Sequence, residues 1–458
     1  MSWLHSFKMS WFNVFQNDCD GLVKSRKSLF WGNAFAAFGS NITAGTFYTA
    51  LLLVLFRGHP ESLRNEYIGR IAMLQTAAGF LQMVAPLFIE RMKRRKLFVM
   101  CLRWTYHVLN IFGLALIPIL PLDIHVRANL FMIVAALMSA TVALYSPGMS
   151  AWHIHPLSEH CRSDYYTINS LLAGALSLAS NLLASVFMDF FAADGKEYTA
   201  ILIMRGVAIL LIALETKQFW QIKEPEYRVT EKKPSFVQIL TLPFHYPRFL
   251  LNVLIAALWT GSTALVGSYY STYLLADAKM SYTFLGVIGI VGIPFSWLAT
   301  PIWNQIIHRH GWFRPMAISL VLYGGAYAIN GFVTEETQWL YLLGSIYCTM
   351  GSPGSTLAFS NLPYMNSPKE GLSSCLAFYS TVGSLMGFLG AWLGKNFIHA
   401  TEGKIIEIFG LQLKNAAYIS FLPFFGSILI AGLILVVHRI DQKQKLKEQK
   451  EEEASVTA

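Results

Sequence analysis

Apolar residues run through this chain in long blocks, separated by short polar breaks. Twelve blocks reach the roughly 20 residues that a helix needs to cross a hydrocarbon layer of about 30 Å. They lie at about 29–56, 67–89, 97–119, 128–151, 165–190, 198–221, 249–275, 283–306, 315–333, 338–362, 372–397 and 415–438. Most connections are short. The longest, Lys223–Arg248, is also the most charged, carries four prolines and falls near the middle of the chain. The pattern predicts an all-α membrane protein of twelve transmembrane helices in two pseudo-symmetric six-helix bundles. The expected division is an N-terminal segment 1–27, a bundle 28–222, a linker 223–248, a second bundle 249–440 and a tail 441–458.

A repeat supports the two halves. GSNITAGTFYTALL at 39–52 returns 222 positions later as GSTALVGSYYSTYL at 261–274. Aligned without a gap, Gly39 meets Gly261, Ser40 meets Ser262 and Gly45 meets Gly267. The hydroxyl, aromatic, tyrosine and hydroxyl positions follow as Thr46/Ser268, Phe47/Tyr269, Tyr48/Tyr270 and Thr49/Ser271. Small and aromatic positions match as well as the apolar ones, which points to one membrane helix written twice. A second echo joins Tyr145-Ser146-Pro147-Gly148 to Gly351-Ser352-Pro353-Gly354. Proline and glycine loosen a membrane helix locally, so these stretches are expected at a bend or a helix end.

Composition agrees. Of 458 residues, 54% are hydrophobic and 13% charged, with a mean hydropathy of +0.46. A soluble domain carries about 25% charged residues. The net charge of +9 is unevenly placed. With the N-terminus in the cytoplasm, about 24 of the 35 basic residues fall inside and about 7 outside, as the positive-inside rule requires. The excess therefore reports topology and not nucleic-acid binding. Both termini are expected in the cytoplasm and the protein in the cell membrane. Leu4, Phe7, Trp11 and Phe15 recur at helical spacing, as in a short helix lying in the membrane interface. Five irregularly spaced cysteines without a C-x-x-C predict neither disulfides nor a metal cluster.

Twelve helices, a charged central linker and a parallel repeat resemble the major facilitator superfamily of secondary transporters. The family's loop between helices 2 and 3 reads G-x-x-x-D-R-x-G-R-R-[RK], and Pro86–Lys96 here reads PLFIERMKRRK. Glu90 takes the acidic place, Arg91, Arg94, Arg95 and Lys96 match, and both glycines are replaced. In the second half, Asn304–Phe313 reads NQIIHRHGWF, with His308 in the acidic place and Arg309 and Gly311 matching. The resemblance implies an ion-pair latch between carboxylate, guanidinium and helix terminus, better kept in the first half. The glycine-proline run that marks antiporters on helix 5 is missing.

The resemblance also implies that helices 1, 4, 7 and 10 line a central cavity. Residues at i, i+4 and i+7 share a helix face. That groups Asn41, Gly45 and Tyr48 on helix 1, and Thr263, Gly267 and Tyr270 on helix 7, with Trp259 one turn earlier. Tyr145, Tyr347 and Tyr379 complete the solute-binding candidates. Small faces on membrane helices also serve close packing, which is the competing role. Ionisable groups within membrane helices cost about 2.5–3.5 kcal/mol each on insertion scales, so the few present are coupling candidates. They are Arg103 and His107 on helix 3 and Glu215 on helix 6, beside Arg205; Asp189 ends helix 5. Arg103 and Glu215 lie at a similar depth of about 10 Å and can pair. No carboxylate lies deep in the second half.

These features predict a transporter that moves a small organic solute by alternating access, either coupled or facilitative. Multidrug efflux is the alternative within transport, and a membrane sensor a less favoured one. An enzyme is not expected: there is no G-x-x-x-x-G-K-[ST], no H-E-x-x-H and no paired intramembrane acid. No cofactor, metal or nucleic acid is expected; the partners are the solute and the bilayer, and the protein is expected as a monomer. Trp152–Arg162 gathers His153, His155, His160 and Cys161, but at a spacing that fits no defined metal site.

Overall fold

A computed structural model describes the backbone of residues 11–16, 21–89, 92, 94–224, 240–365 and 372–457. Helices follow in the predicted order. The first pass is α1 (Val23–Asn41) and α2 (Thr46–Leu55); the second is α3 (Glu61–Ala77) and α4 (Leu81–Ile89). The third is α5 (Arg95–Val108), which runs into a π-helical turn at Leu109–Gly113. Then come α6 (Ile124–Ile154), α7 (Glu159–Ala192) and α8 (Glu197–Trp220). The seventh pass is α9 (Pro247–Ala264) and α10 (Gly267–Ala276). It is followed by α11 (Tyr282–His310), α12 (Phe313–Asn330), α13 (Trp339–Asn361) and α14 (Leu372–Ala400). A hairpin of β1 (Ile406–Ile408) and β2 (Leu411–Leu413), a short α15 (Asn415–Tyr418) and α16 (Phe421–Thr457) complete the chain.

Among the described residues, ten of these passes are long and apolar enough to cross a membrane. The other two, α12 and α13, hold more glycine, serine and tyrosine, which lowers their hydropathy.

The chain forms two compact units. The first comprises Met1–Pro60, Leu81–Lys233 and Ser281–Val287; the second comprises Glu61–Phe80, Pro234–Met280 and Ile288–Ala458. They differ from the expected halves at two helix ends, since α3 joins the second unit and the start of α11 joins the first.

In the first unit, Leu29, Phe30, Val99, Met100, Trp152, Tyr165 and Phe219 build the core, with Val14 and Phe15 of the N-terminal segment. Gly32 admits Phe219 edge-on: a Cβ there would stand 2.3 Å from the ring. In the second unit, Ile255, Phe313, Met316, Leu320, Leu362 and Ile434 form the core. There α9 and α14 pack backbone to backbone. A Cβ on Gly390 would lie 2.1 Å from the Gly261 carbonyl oxygen, and one on Gly394 would lie 2.3 Å from that of Leu265. Small residues allow such approach, and helix contact in lipid depends on it.

The matched glycines of the repeat mark matched breaks. Gly45 has φ +56° and separates α1 from α2; Gly267 has φ +26° and opens α10. Only glycine adopts such angles without steric cost. The Ser-Pro-Gly stretches lie inside α6 and α13 and not at their ends. A Cβ on Gly148 would lie 2.9 Å from Val99, and one on Gly354 2.6 Å from Trp303, so both glycines serve close packing.

Candidate functional site

Arg103 and His107 are four residues apart on α5 and share a face. Glu215 stands on α8 with 2% of its side chain accessible and ion-pairs with Arg103 Nε. The His107 Nε2 atom is 3.8 Å from the second carboxylate oxygen. On the other side of Arg103, Nη1 donates to the Tyr145 hydroxyl at 3.4 Å and to Met149 Sδ at 3.5 Å, both on α6. Its guanidinium lies 5.8 Å from the Tyr145 ring centre and 5.5 Å from that of Phe219. Carboxylate and aromatic faces together hold a cation that the surrounding apolar helices would otherwise exclude.

Arg103, Tyr145 and Met149 of this group form one wall of a cavity of about 450 Å³ within the first unit. The remaining lining comes from Asn33 of α1, Ser146, Ser150 and His153 of α6, and Tyr165 and Tyr166 of α7. Asn33 Nδ2 donates to the Tyr165 hydroxyl at 3.2 Å and to Asn169 Oδ1 at 3.4 Å. The lining is thus hydroxyls, an amide, an imidazole and one guanidinium among the apolar Leu29, Met149, Ile154 and Leu157, with no carboxylate among the lining residues. Its size suits a small solute, since ligand pockets run from about 300 to 1,000 Å³.

The second unit gathers aromatics instead. Trp259 of α9 meets Tyr323 of α12 edge-on with centroids 5.5 Å apart, and stacks on Phe359 of α13 at 6.4 Å. Tyr323 continues to Tyr327 at 5.9 Å.

The other sequence candidates are dispersed. Tyr270 is buried, and its hydroxyl donates to the Asn330 backbone oxygen at 3.0 Å, closing α10 onto the end of α12. Thr263 turns back to the Trp259 carbonyl at 3.2 Å, and Asn41 to the Ala37 carbonyl at 2.7 Å. Tyr48 packs on Phe131 at 5.7 Å. Tyr347 is 47% exposed, and Tyr379 packs on the second unit's core.

Of the latch residues, Glu90 and Arg91, and the side chain of His308, lie outside the described residues. Arg94 and Arg309 are exposed. Arg95 and Lys96 present their backbone N–H groups to Glu224 Oε1 at 2.5 and 2.8 Å, and that carboxylate caps α5. The Lys96 ammonium donates to the carbonyls of Trp220 and Ile222 at 2.5 and 2.9 Å, at the C-terminal end of α8. Cations favour a helix C-terminus and anions an N-terminus, so α5 and α8 are clasped end to end. Glu224 was missed by sequence reasoning, although an acid placed directly after the sixth pass, opposite a basic helix start, was the available signal. Asp189 was noted only as the end of helix 5. It caps α11, accepting from the N–H groups of Tyr282 and Thr283 at 2.9 and 2.6 Å. Asn33 and Tyr165 were missed outright.

These features define the class: a multi-pass helical membrane protein with a solute-sized cavity lined by one arginine of a buried ion pair. The sequence matches the family described as Major Facilitator Superfamily over residues 29–391, and the chain belongs to that family. No curated protein matches it in sequence. Solved structures share the fold. A mutant of the nucleoside transporter NupG is similar at 12% identity and a TM-score of 0.65, over 90% of this chain and 99% of that one. A bacterial homologue of the iron transporter ferroportin in an inward-facing state gives 13% and 0.67, over 91% and 98%. A D-xylose-proton symporter gives 13% and 0.66, over 90% and 96%. The chain is therefore a transporter of this superfamily with many membrane-spanning helices, and identities this low carry the fold alone.

Proposed function

We propose that this protein is a secondary transporter that moves a small polar organic solute across the cell membrane by alternating access. Both termini face the cytoplasm in this reading, as the distribution of lysine and arginine supports. One observation carries it: the cavity of about 450 Å³ is lined by Arg103, whose ion-pair partner Glu215 stands behind it, and by hydroxyl and amide groups.

Arg103 has more donors than Glu215 can occupy, and its Nη1 already turns toward the cavity residues Tyr145 and Met149. A solute acceptor entering the cavity competes with the carboxylate for the guanidinium. Protonation of Glu215 removes that competition, and His107 stands on its other oxygen to exchange the proton. Solute and proton are then linked through one arginine, which supports coupling through Arg103, His107 and Glu215.

The test is uptake into proteoliposomes with and without an imposed pH gradient. Wild type accumulates solute only with the gradient, whereas Glu215→Gln equilibrates it without accumulation. Strong proton dependence that survives both Glu215→Gln and His107→Ala overturns the assignment.

A further inference from the structure

Arg205 of α8 is 2% exposed, and its charge is not used by the Arg103–Glu215 pair. Among the described residues no carboxylate forms an ion pair with it. Its Nη1 donates to the backbone oxygen of Asn110 and to Asn110 Oδ1, the latter at 3.1 Å. Its Nη2 is buried with no hydrogen-bond partner. A guanidinium nitrogen left open in a membrane helix is costly and marks function by default.

Two backbone irregularities converge on it. Asn110 lies in the π-helical turn Leu109–Gly113, and such turns concentrate at functional sites. Asn110 Nδ2 donates to Thr43 Oγ1 at 3.4 Å, and Thr43 sits in the break between α1 and α2. Thr43 Oγ1 in turn donates to the Gly39 carbonyl at 3.0 Å. Thr43, Asn110 and Arg205 are all buried. The ten-residue α2 begins at this break without a side-chain cap, so its positive end faces the same region. An unpaired cation and the positive end of a half-helix are both complementary to negative charge.

We infer that Arg205 Nη2 takes an oxyanion, and that the solute moved by this transporter carries a carboxylate or phosphate. The inference rests on the transporter reading above and narrows its solute class. Thr43 and Asn110 are positioning residues: they hold the guanidinium against the break in helix 1.

The experiment measures thermal unfolding of the purified full-length protein in detergent, titrated with matched pairs: succinate against succinamide, glucose 6-phosphate against glucose, and sodium chloride alone. At least one oxyanion raises Tm where its neutral partner does not, and Arg205→Gln weakens its apparent Kd about thirtyfold or more. Arg205→Lys keeps the charge and a weaker response. If Arg205→Gln does not fold, the wild-type pairs and Arg205→Lys decide alone. Two results overturn the inference. One is that no oxyanion exceeds its neutral partner. The other is that chloride binds while no oxyanion competes with it, which makes the anion a resident counter-ion and not the solute. Binding in detergent needs no gradient, so it stands or falls independently of proton coupling at Glu215.

Discussion

The two units each hold one copy of the repeated stretch, yet they bury different chemistry. The charged side chains buried among the described residues are Arg26, Arg205 and Glu215, and all three belong to the first unit. The second unit buries amides, hydroxyls and tyrosines, with Asn252 tied to the carbonyls of Leu362 and Met365 at 3.4 and 2.9 Å. Its helices α9 and α14 meet backbone to backbone at Gly390 and Gly394, where the first unit adds an ion pair within its membrane helices. The two copies of the repeated stretch share a backbone device, the glycine break at Gly45 and Gly267, and not the side chains around it. Charge can discriminate and titrate; aromatic surface can only fit. On the reading proposed above, coupling and charge selection belong to the first unit.

The sharpest way to break this contrast is at Glu215. Glu215→Gln leaves Arg103 buried without a counter-charge, and losing one partner of a buried pair costs about 3–5 kcal/mol. The double variant Arg103→Met/Glu215→Met removes both charges and recovers most of that stability, while gradient-driven accumulation stays abolished. Thermal unfolding of the three proteins in detergent measures this. A single variant as stable as wild type would mean that the pair is solvated and the first unit is no more electrostatic than the second.

Packing should answer in the opposite sense. Gly390→Val forces a side chain onto the Gly261 carbonyl, and overpacking of this kind costs about 1–3 kcal/mol. Gly174 on α7 in the first unit has nothing within 4 Å of a new Cβ. Gly174→Ala is therefore expected to stabilise by about 0.5–1 kcal/mol, through the helix preference of alanine. Equal effects at the two sites would erase the packing difference between the units.

Trp259→Leu tests shape without charge. It removes the edge-on contact with Tyr323, worth about 0.5–1.5 kcal/mol beyond the area it buries. The expected readout is a raised KM with an unchanged dependence of uptake on the pH gradient. A change in proton dependence would move coupling into the second unit.

The sequence revealed the passes because membrane helices must be both long and apolar, and it revealed the breaks because glycine was kept at both copies. It pointed to the Arg103–Glu215 pair because ionisable groups in such helices are few. Other features were not legible. The π-helical turn at Leu109–Gly113 has no composition of its own. The Glu224 cap depends on how a linker folds back onto α5, and the Asp189 cap on a helix 93 positions away. The hydroxyls of Tyr270 and Thr263 looked free in the sequence, but backbone carbonyls take them, as local back-bonding often does. The transfer of α3 to the second unit is a tertiary outcome that no local pattern encodes.

The smallest expected effect concerns charge in the second unit, where it lies outside the membrane spans. Asp277, after α10, ion-pairs with the Lys414 ammonium and lies 3.6 Å from Arg64 Nη2; its side chain is 8% accessible. Partial burial pulls the Lys414 pKa down, but the hydrogen bond and charge of Asp277 outweigh it and hold the ammonium above its usual range. A raised folded pKa means that the pair stabilises the protein below the unfolded value of about 10.4, and that this is lost as pH rises through the folded value. Lys414 is largely exposed, so screening limits the effect to less than about 1 kcal/mol. Lys414→Met should therefore lower Tm slightly at pH 8 and converge with wild type above pH ~11. A gap that persists into that alkaline range would assign the loss to packing, and the surface of the second unit would then follow the same rule as its interior.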